Sequence, residues 1–137
     1  MTARLDLAMI LVQDMPRTKA FYTELLGYEV VKEFSAPDEN FLFLHTKAGG
    51  PNLALQDSSV STYGIATQHG SLALGFAVED ADALYKEWKE KGVEVQGEVV
   101  DIGAGRMFTA KDPSGNFVQV YHLYPPVEEV QKKMGLI

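Results

Sequence analysis

The sequence predicts an α+β fold in which one β-α-β-β-β unit occurs twice. Val12-Gln13-Asp14 opens a helical stretch that ends at Gly27, and Val78-Glu79-Asp80 opens a second that ends at Gly92. In both stretches an apolar strand precedes the aspartate and a short strand follows the glycine. A repeat of this length indicates two copies of one supersecondary unit. A cleft between two such copies is a natural place for a ligand.

The first half is predicted to contain one helix and four strands. Residues 4–12 alternate weakly between apolar and polar side chains, which is typical of a strand. Asp14 is a good N-cap, and Pro16 suits the first helical turn, where its missing N–H costs nothing. Gly27 provides the C-cap. The remaining strands are predicted at residues 28–34, 41–46 and 52–56.

The second half repeats this order after a polar connection at residues 57–70. Asp80 is the predicted N-cap of a helix that carries Ala81, Leu84, Tyr85 and Trp88 on one face. Asp112-Pro113-Ser114-Gly115 has the signature of a type I turn. Strands are predicted at residues 72–78, 93–100, 106–110 and 116–122, and a short amphipathic helix at 125–137.

Composition limits the classes of partner. A chain of 137 residues suits one domain with a sizeable core, and the absence of cysteine excludes disulfides and thiolate ligands. The formal net charge of −7 argues against nucleic acid. We expect no membrane partner and a cytoplasmic location, since no apolar run is long enough to span a bilayer. The acidic balance is explained by solubility or by attraction of a cationic small molecule.

Three sets of residues resemble a known superfamily. They are Val12-Gln13-Asp14-Met15 with Leu25-Leu26-Gly27-Tyr28, Phe76-Ala77-Val78-Glu79-Asp80, and the run from Asp112 through Gly115-Asn116 to Val120. They resemble the vicinal oxygen chelate superfamily, which holds glyoxalase I, extradiol dioxygenases, and fosfomycin and bleomycin resistance proteins. The resemblance implies two βαβββ modules whose mixed sheets curl around a cup. It implies a single domain, with repeats at about 4–58 and 71–124 and a tail at 125–137, and a homodimer.

The resemblance also identifies four strand positions that hold the metal in metal-dependent members. In this sequence they fall at Leu7, Ala54, Ala73 and Gln119. Leucine and alanine have no donor atoms, and a neutral amide oxygen is a poor replacement for a carboxylate. A shift of two residues would bring Gln56 to the second position, still without His or carboxylate. The sequence therefore predicts no metal and no cofactor in the cup.

Strand periodicity predicts which side chains line the cup, because alternate residues share one face of a strand. This face is mostly apolar and aromatic with a few amide and hydroxyl groups, which suits an organic ligand. Phe43 or His45 from the third strand are further candidates. The predicted ligand-binding residues are Leu7, Met9, Gln56, Ala73, Gly75, Met107, Thr109, Phe117, Gln119 and Tyr121.

The three histidines are predicted to be structural or exposed. His122 falls on the face opposite Gln119, away from the cup. His69 lies in the connecting segment, from which it could swing over the mouth of the cup. A metal site built from His45, His69 and Asp57 is a remaining alternative.

These observations favour a metal-free binding protein similar to bleomycin resistance proteins. It would sequester a hydrophobic or aromatic small molecule in a dimer cleft. One rival is a glyoxalase-like lyase or isomerase, or a dioxygenase, with a non-standard site. Another is an accessory domain with no ligand of its own.

Overall fold

The computed structural model describes residues 1–60, 72–111 and 117–137. These residues form eight β-strands and three α-helices, which confirms the predicted α+β class. They divide into two compact units. The N-terminal unit holds residues 7–60 and 72, and the C-terminal unit holds residues 1–6, 73–111 and 117–137. Within the described ranges, no helix has the length and apolar character needed to cross a membrane.

The sheet of the N-terminal unit has the strand order β2-β3-β4-β1. Strand β1 is parallel to β4, and the other neighbours are antiparallel. One face packs against helix α1 (Met15–Ala20) through a core that includes Val12, Met15, Leu42, Leu44 and Leu55. The strands are β1 (Arg4–Val12), β2 (Glu29–Val30), β3 (Phe41–His45) and β4 (Asn52–Asp57).

The first helix begins as predicted but changes its winding early. The Asp14 carboxylate accepts a hydrogen bond from the Arg17 backbone N–H at 3.2 Å, which confirms the N-cap. After Ala20 the chain continues as a π-helical turn at Phe21–Leu25. The Thr23 hydroxyl donates to the Lys19 carbonyl at 2.8 Å, a local bond that competes with the regular helical ladder. Gly27 then adopts the left-handed conformation expected of a C-cap, with φ of +78°.

The second strand is much shorter than the predicted range 28–34. It ends at Val30, and Lys32–Phe34 forms a 3₁₀ turn. The Ser35 hydroxyl donates to the Val31 carbonyl at 2.8 Å and accepts from the Phe43 N–H at 2.9 Å. This side chain therefore takes the place of the next bond in the β2–β3 ladder, and the strand prediction was wrong beyond Val30.

The C-terminal unit has the strand order β5-β8-β7-β6, with β5 parallel to β8. Asp80 accepts from the Ala83 N–H at 3.0 Å and caps helix α2, as predicted. The predicted turn at 112–115 and most of the predicted connection lie outside the described residues. The elements are β5 (Leu72–Ala77), α2 (Ala81–Glu90), β6 (Val95–Asp101), β7 (Gly105–Lys111), β8 (Phe117–Leu123) and α3 (Pro125–Lys133).

Phe108 is the centre of the core between α2 and this sheet. The rings of Tyr85 and Trp88 meet it edge to face, at centroid distances of 5.4 and 5.5 Å. Ala110 and Val120 lie in the same cluster. These contacts place α2 on one side of the sheet; we call the side opposite α2 the helix-free face.

Candidate functional site

The helix-free face of the C-terminal sheet collects seven of the predicted binding residues. Gln119 on β8 is in register with Gly75 on β5 and with Thr109 on β7. Tyr121 is in register with Met107. Residues in register on neighbouring strands project to the same side of a sheet. The seven residues are Ala73, Gly75, Met107, Thr109, Phe117, Gln119 and Tyr121.

Gln119 is a buried polar side chain on this face. Its side chain is 6% exposed, and its amide makes no hydrogen bond within the described part of the chain. Its neighbour on β5 is Gly75, which has no side chain and is buried. The Gln119 amide atoms are not among the fully buried polar atoms that lack a partner, so the amide is within reach of a ligand on this face, and a ligand group that bonds to it would gain affinity.

The predicted residues of the N-terminal unit also share one side of their sheet. Met9 is in register with Ala54, which is in register with Phe43. Leu7 is in register with Asn52. Gln56 lies two residues beyond Ala54 on β4 and therefore on the same side. His45 joins this side, since its Nδ1 lies 2.8 Å from the Asn52 Oδ1. Asn52 was not among the predicted residues, although a buried amide within an apolar strand was the available signal.

A buried carboxylate fixes the hydroxyl of Tyr121. Asp6, which belongs to the C-terminal unit, accepts hydrogen bonds from the Tyr121 hydroxyl and from the Arg4 guanidinium, the latter at 2.6 Å. Burial first, then the charge of Asp6 and the hydrogen bond to it, raise the pKa of Tyr121 well above the usual value for tyrosine. The phenol therefore stays protonated. Its hydroxyl donates its hydrogen bond to Asp6, so it does not act as a donor to a ligand. Strand periodicity identified Tyr121 as a polar residue of the cup but gave no signal for Asp6.

A concavity of about 320 Å³ adjoins the helix-free face between β6 and β7. Its floor includes Met107 and Thr109, both buried. Its rim comes from β6, where three residues between Gln96 and Val100 oppose the single residue Phe108. Strand periodicity did not predict these β6 residues as part of a site, because a bulge breaks the alternation of side chains. The lining residues are Gln96, Gly97, Glu98, Val100, Met107, Phe108 and Thr109.

A second concavity, of about 460 Å³, is lined in the N-terminal unit by residues of α1 and the π-helical turn and by residues 38–40. Lys19 and Glu39 form an ion pair of 2.9 Å across it, and both side chains are partly exposed. Asp57 lies at its edge. None of the predicted binding residues contributes to it, so it is separate from the helix-free face of the C-terminal sheet.

The model of one protein family matches most of the chain. The glyoxalase/bleomycin resistance protein/dioxygenase superfamily matches residues 4–120. The chain belongs to this superfamily. It is 23% identical over 117 residues to the uncharacterized protein YetH of Bacillus subtilis, covering 85% of this chain and 95% of the relative. It is 28% identical over 124 residues to lactoylglutathione lyase GLX1 of Arabidopsis thaliana, covering 85% of this chain but only 43% of that protein.

Solved structures support the superfamily fold. The methylmalonyl-CoA epimerase of Mycobacterium tuberculosis superposes with a TM-score of 0.69 at 20% identity, covering 91% of both chains. At this level of identity the likeness establishes the shared fold and nothing about the reaction.

The superfamily's metal positions lack a suitable donor set in this chain. In the N-terminal unit they hold Leu7 and Ala54, and in the C-terminal unit Ala73 and Gln119. Only Gln119 carries a donor atom, a neutral amide. The nearby amide of Gln56 donates to the Asp57 carbonyl at 3.4 Å and adds no charge. These residues do not fit a divalent transition metal, which needs three or four imidazole, thiolate or carboxylate ligands.

One group of potential ligands exists elsewhere among the described residues. Asp80, Asp82 and His122 place oxygen and nitrogen atoms within 4.8 Å of one another at the start of α2. Arg106 donates to both oxygens of Asp82, at 3.0 and 3.3 Å, and lowers the pKa of that carboxyl. The His122 Nδ1 accepts from the Ala81 backbone N–H at 2.8 Å, as expected for a residue facing the helix. Hydrogen bonds thus account for this group, and we assign no metal to it. His69, part of the other predicted alternative, lies outside the described residues.

Proposed function

We propose that this protein binds an apolar or aromatic small molecule against the helix-free face of the C-terminal sheet, without a metal on the strand positions. The observation that carries the proposal is the replacement of the superfamily's ligands by Leu7, Ala54, Ala73 and Gln119. A chain that keeps the fold but lacks the donors retains binding without chelate chemistry.

The helix-free face supports binding of an organic molecule. Met107 and Phe117 are the apolar and aromatic side chains of this face, and Gln119 adds an amide that bonds to no other described residue. The adjoining concavity of about 320 Å³ is at the small end of the range typical of ligand pockets. Apolar walls with one or two polar anchors are the usual pattern of such sites.

We further propose that two copies associate through the first and fifth strands. Leu5, Leu72 and Leu74 are 42%, 56% and 38% exposed on the first and fifth strands. Apolar side chains on neighbouring positions of a strand are unusual on a monomer surface. Burial against a second copy would remove them from water.

An enzyme is the second candidate, and relatives favour it. Lactoylglutathione lyase of Arabidopsis thaliana is a curated relative, although the chain spans less than half of its length. A lyase, isomerase or dioxygenase reaction in this protein would need a site other than the four strand positions. Since no donor set for it occurs in the described residues of the two sheets, we place it second.

Mass spectrometry of the purified protein tests the binding proposal. The parent protein and Gln119→Leu are purified in the same way and denatured. The small molecules that each protein releases are then compared. We expect an organic compound that is retained by the parent protein and depleted in the variant. Equal recovery of every compound from both proteins would contradict binding through Gln119.

A further inference from the structure

The rim of the concavity beside the helix-free face carries an uncompensated charge. Among its seven lining residues Glu98 is the one charged side chain. It is exposed, and within the described chain it forms no ion pair or hydrogen bond. The neighbouring carboxylate of Glu94 is compensated, because Lys111 lies 3.6 Å from it and the Gln96 amide donates to it at 3.1 Å.

A β-bulge puts Glu98 in this place. Gly97 has φ of +72°, a conformation that favours glycine, and its carbonyl accepts a hydrogen bond from the Tyr85 hydroxyl at 2.8 Å. Tyr85 belongs to α2, so the bulge is tied to the core of the unit. Bulges are often found beside binding sites, where they redirect a side chain. Here the bulge brings Glu98 to the rim above Met107 and Thr109.

We propose that Glu98 selects an organic cation: an aromatic or aliphatic body with a protonated amine. The inference rests on the proposed function and names the ligand class of the same site. The apolar floor accepts the body of the ligand, and Glu98 meets the positive charge at the rim. The Gln119 amide lies on β8 directly opposite Thr109. The chain's net charge of −7 attracts cations to the surface and disfavours anions.

Three probes of similar size test the charge preference. We would titrate isotope-labelled protein with 2-phenylethylamine, 2-phenylethanol and 3-phenylpropionate at low salt and follow the amide signals of β6 and β7. We expect the amine to bind about two- to fivefold more tightly than the alcohol, as is typical of one exposed ion pair, and the carboxylate to bind least. Raising the salt concentration should reduce the amine's advantage.

Two substitutions assign that preference to one residue. Glu98→Gln should remove the advantage of the amine and leave the affinity for the alcohol unchanged. Glu90→Gln, which removes the same charge from the exposed end of α2, should change neither. Because Glu98 is exposed and without partners in the described chain, its substitution should not unfold the protein.

The outcomes separate this inference from the proposed function. If the alcohol binds, and Gln119→Leu weakens it, but the amine has no advantage that depends on Glu98, the charge selection is overturned and the binding face remains. If the alcohol's affinity does not respond to Gln119→Leu, the proposed role of that face is wrong, while an amine preference lost in Glu98→Gln still supports the rim. No binding of any probe would overturn both.

Discussion

The imidazole Nδ1 of His122 accepts a hydrogen bond of 2.8 Å from the backbone N–H of Ala81. Ala81 is the first residue of α2, where backbone N–H groups lack helical partners. The Asp80 carboxylate, in the same segment, accepts from the Ala83 N–H. The His122 imidazole, on β8, accepts from the Ala81 N–H. The second module thus attaches its helix to its last strand by a hydrogen bond as well as by packing.

Loss of this hydrogen bond should destabilise the protein. His122→Leu leaves the Ala81 N–H without its partner and should lower the free energy of unfolding by about 0.5–2 kcal/mol, the usual effect of losing a helix cap. His122→Gln keeps an acceptor on a side chain of similar reach and should lose less. Urea unfolding of the three proteins measures the difference. Equal stability of the leucine and glutamine variants would contradict the capping role.

Tyr121 should make stability fall at alkaline pH. Its pKa is raised in the folded protein, chiefly by burial, so above the unfolded value near 10 the unfolded chain releases a proton that the folded chain keeps. Stability from this group is therefore complete below about pH 10 and declines as the pH rises further. Tyrosinate formation is followed by ultraviolet absorbance as the pH rises, in the parent protein and in Tyr121→Phe. The difference between the two curves reports Tyr121 and should stay flat until the protein unfolds. A difference curve with an ordinary tyrosine midpoint in folded protein would contradict the burial argument.

Strand periodicity predicted the helix-free face of β7 and β8 because both strands keep a regular register. Met107 and Thr109 lie opposite Tyr121 and Gln119, as alternation requires. The same rule missed Glu98, since the bulge at Gly97 inserts residues that alternation does not count. Gly97 within an otherwise regular strand was the sequence signal for it.

Other features depend on partners that are distant in sequence. Asp6 and Tyr121 are 115 residues apart, so no local pattern connects them. The short β2 depends on the Ser35 hydroxyl, which takes up the Phe43 N–H on the next strand. By contrast, Asp14 and Asp80 were predictable as caps, because a cap bonds to an N–H three residues ahead in the same segment.

The exposed leucines of β5 predict how the proposed homodimer can be broken. If Leu72 and Leu74 are covered by a second copy, a charge there must be desolvated on association, so Leu72→Glu should give a monomer. Leu25→Glu is the matched control, because Leu25 is even more exposed but lies on the π-helical turn. Light scattering at micromolar concentration should show a dimer for the parent and control. A monomeric parent protein would contradict the proposed assembly.

Chelation is expected to leave the protein unaffected. Leu7, Ala54 and Ala73 offer no ligand atoms, so purified protein should contain no stoichiometric transition metal on the strand positions. Elemental analysis and thermal unfolding with and without a chelator measure this. About one metal per chain, lost on chelation together with stability or an activity and restored by adding the metal, would favour the enzyme over the binding protein.

Gln119 should control ligand affinity without controlling the fold. Gln119→Leu replaces an amide that has no partner within the described chain, so stability should change little, while a ligand group bonded to the amide loses its partner. We expect affinity for 2-phenylethanol, or for the co-purifying compound, to fall by about 1–3 kcal/mol. The matched control is Gln131→Leu on α3, a second largely buried glutamine that lies on a different element from the helix-free face. Calorimetric titration should give parent-like affinity for the control. Equal affinities of all three proteins would mean that Gln119 faces no ligand.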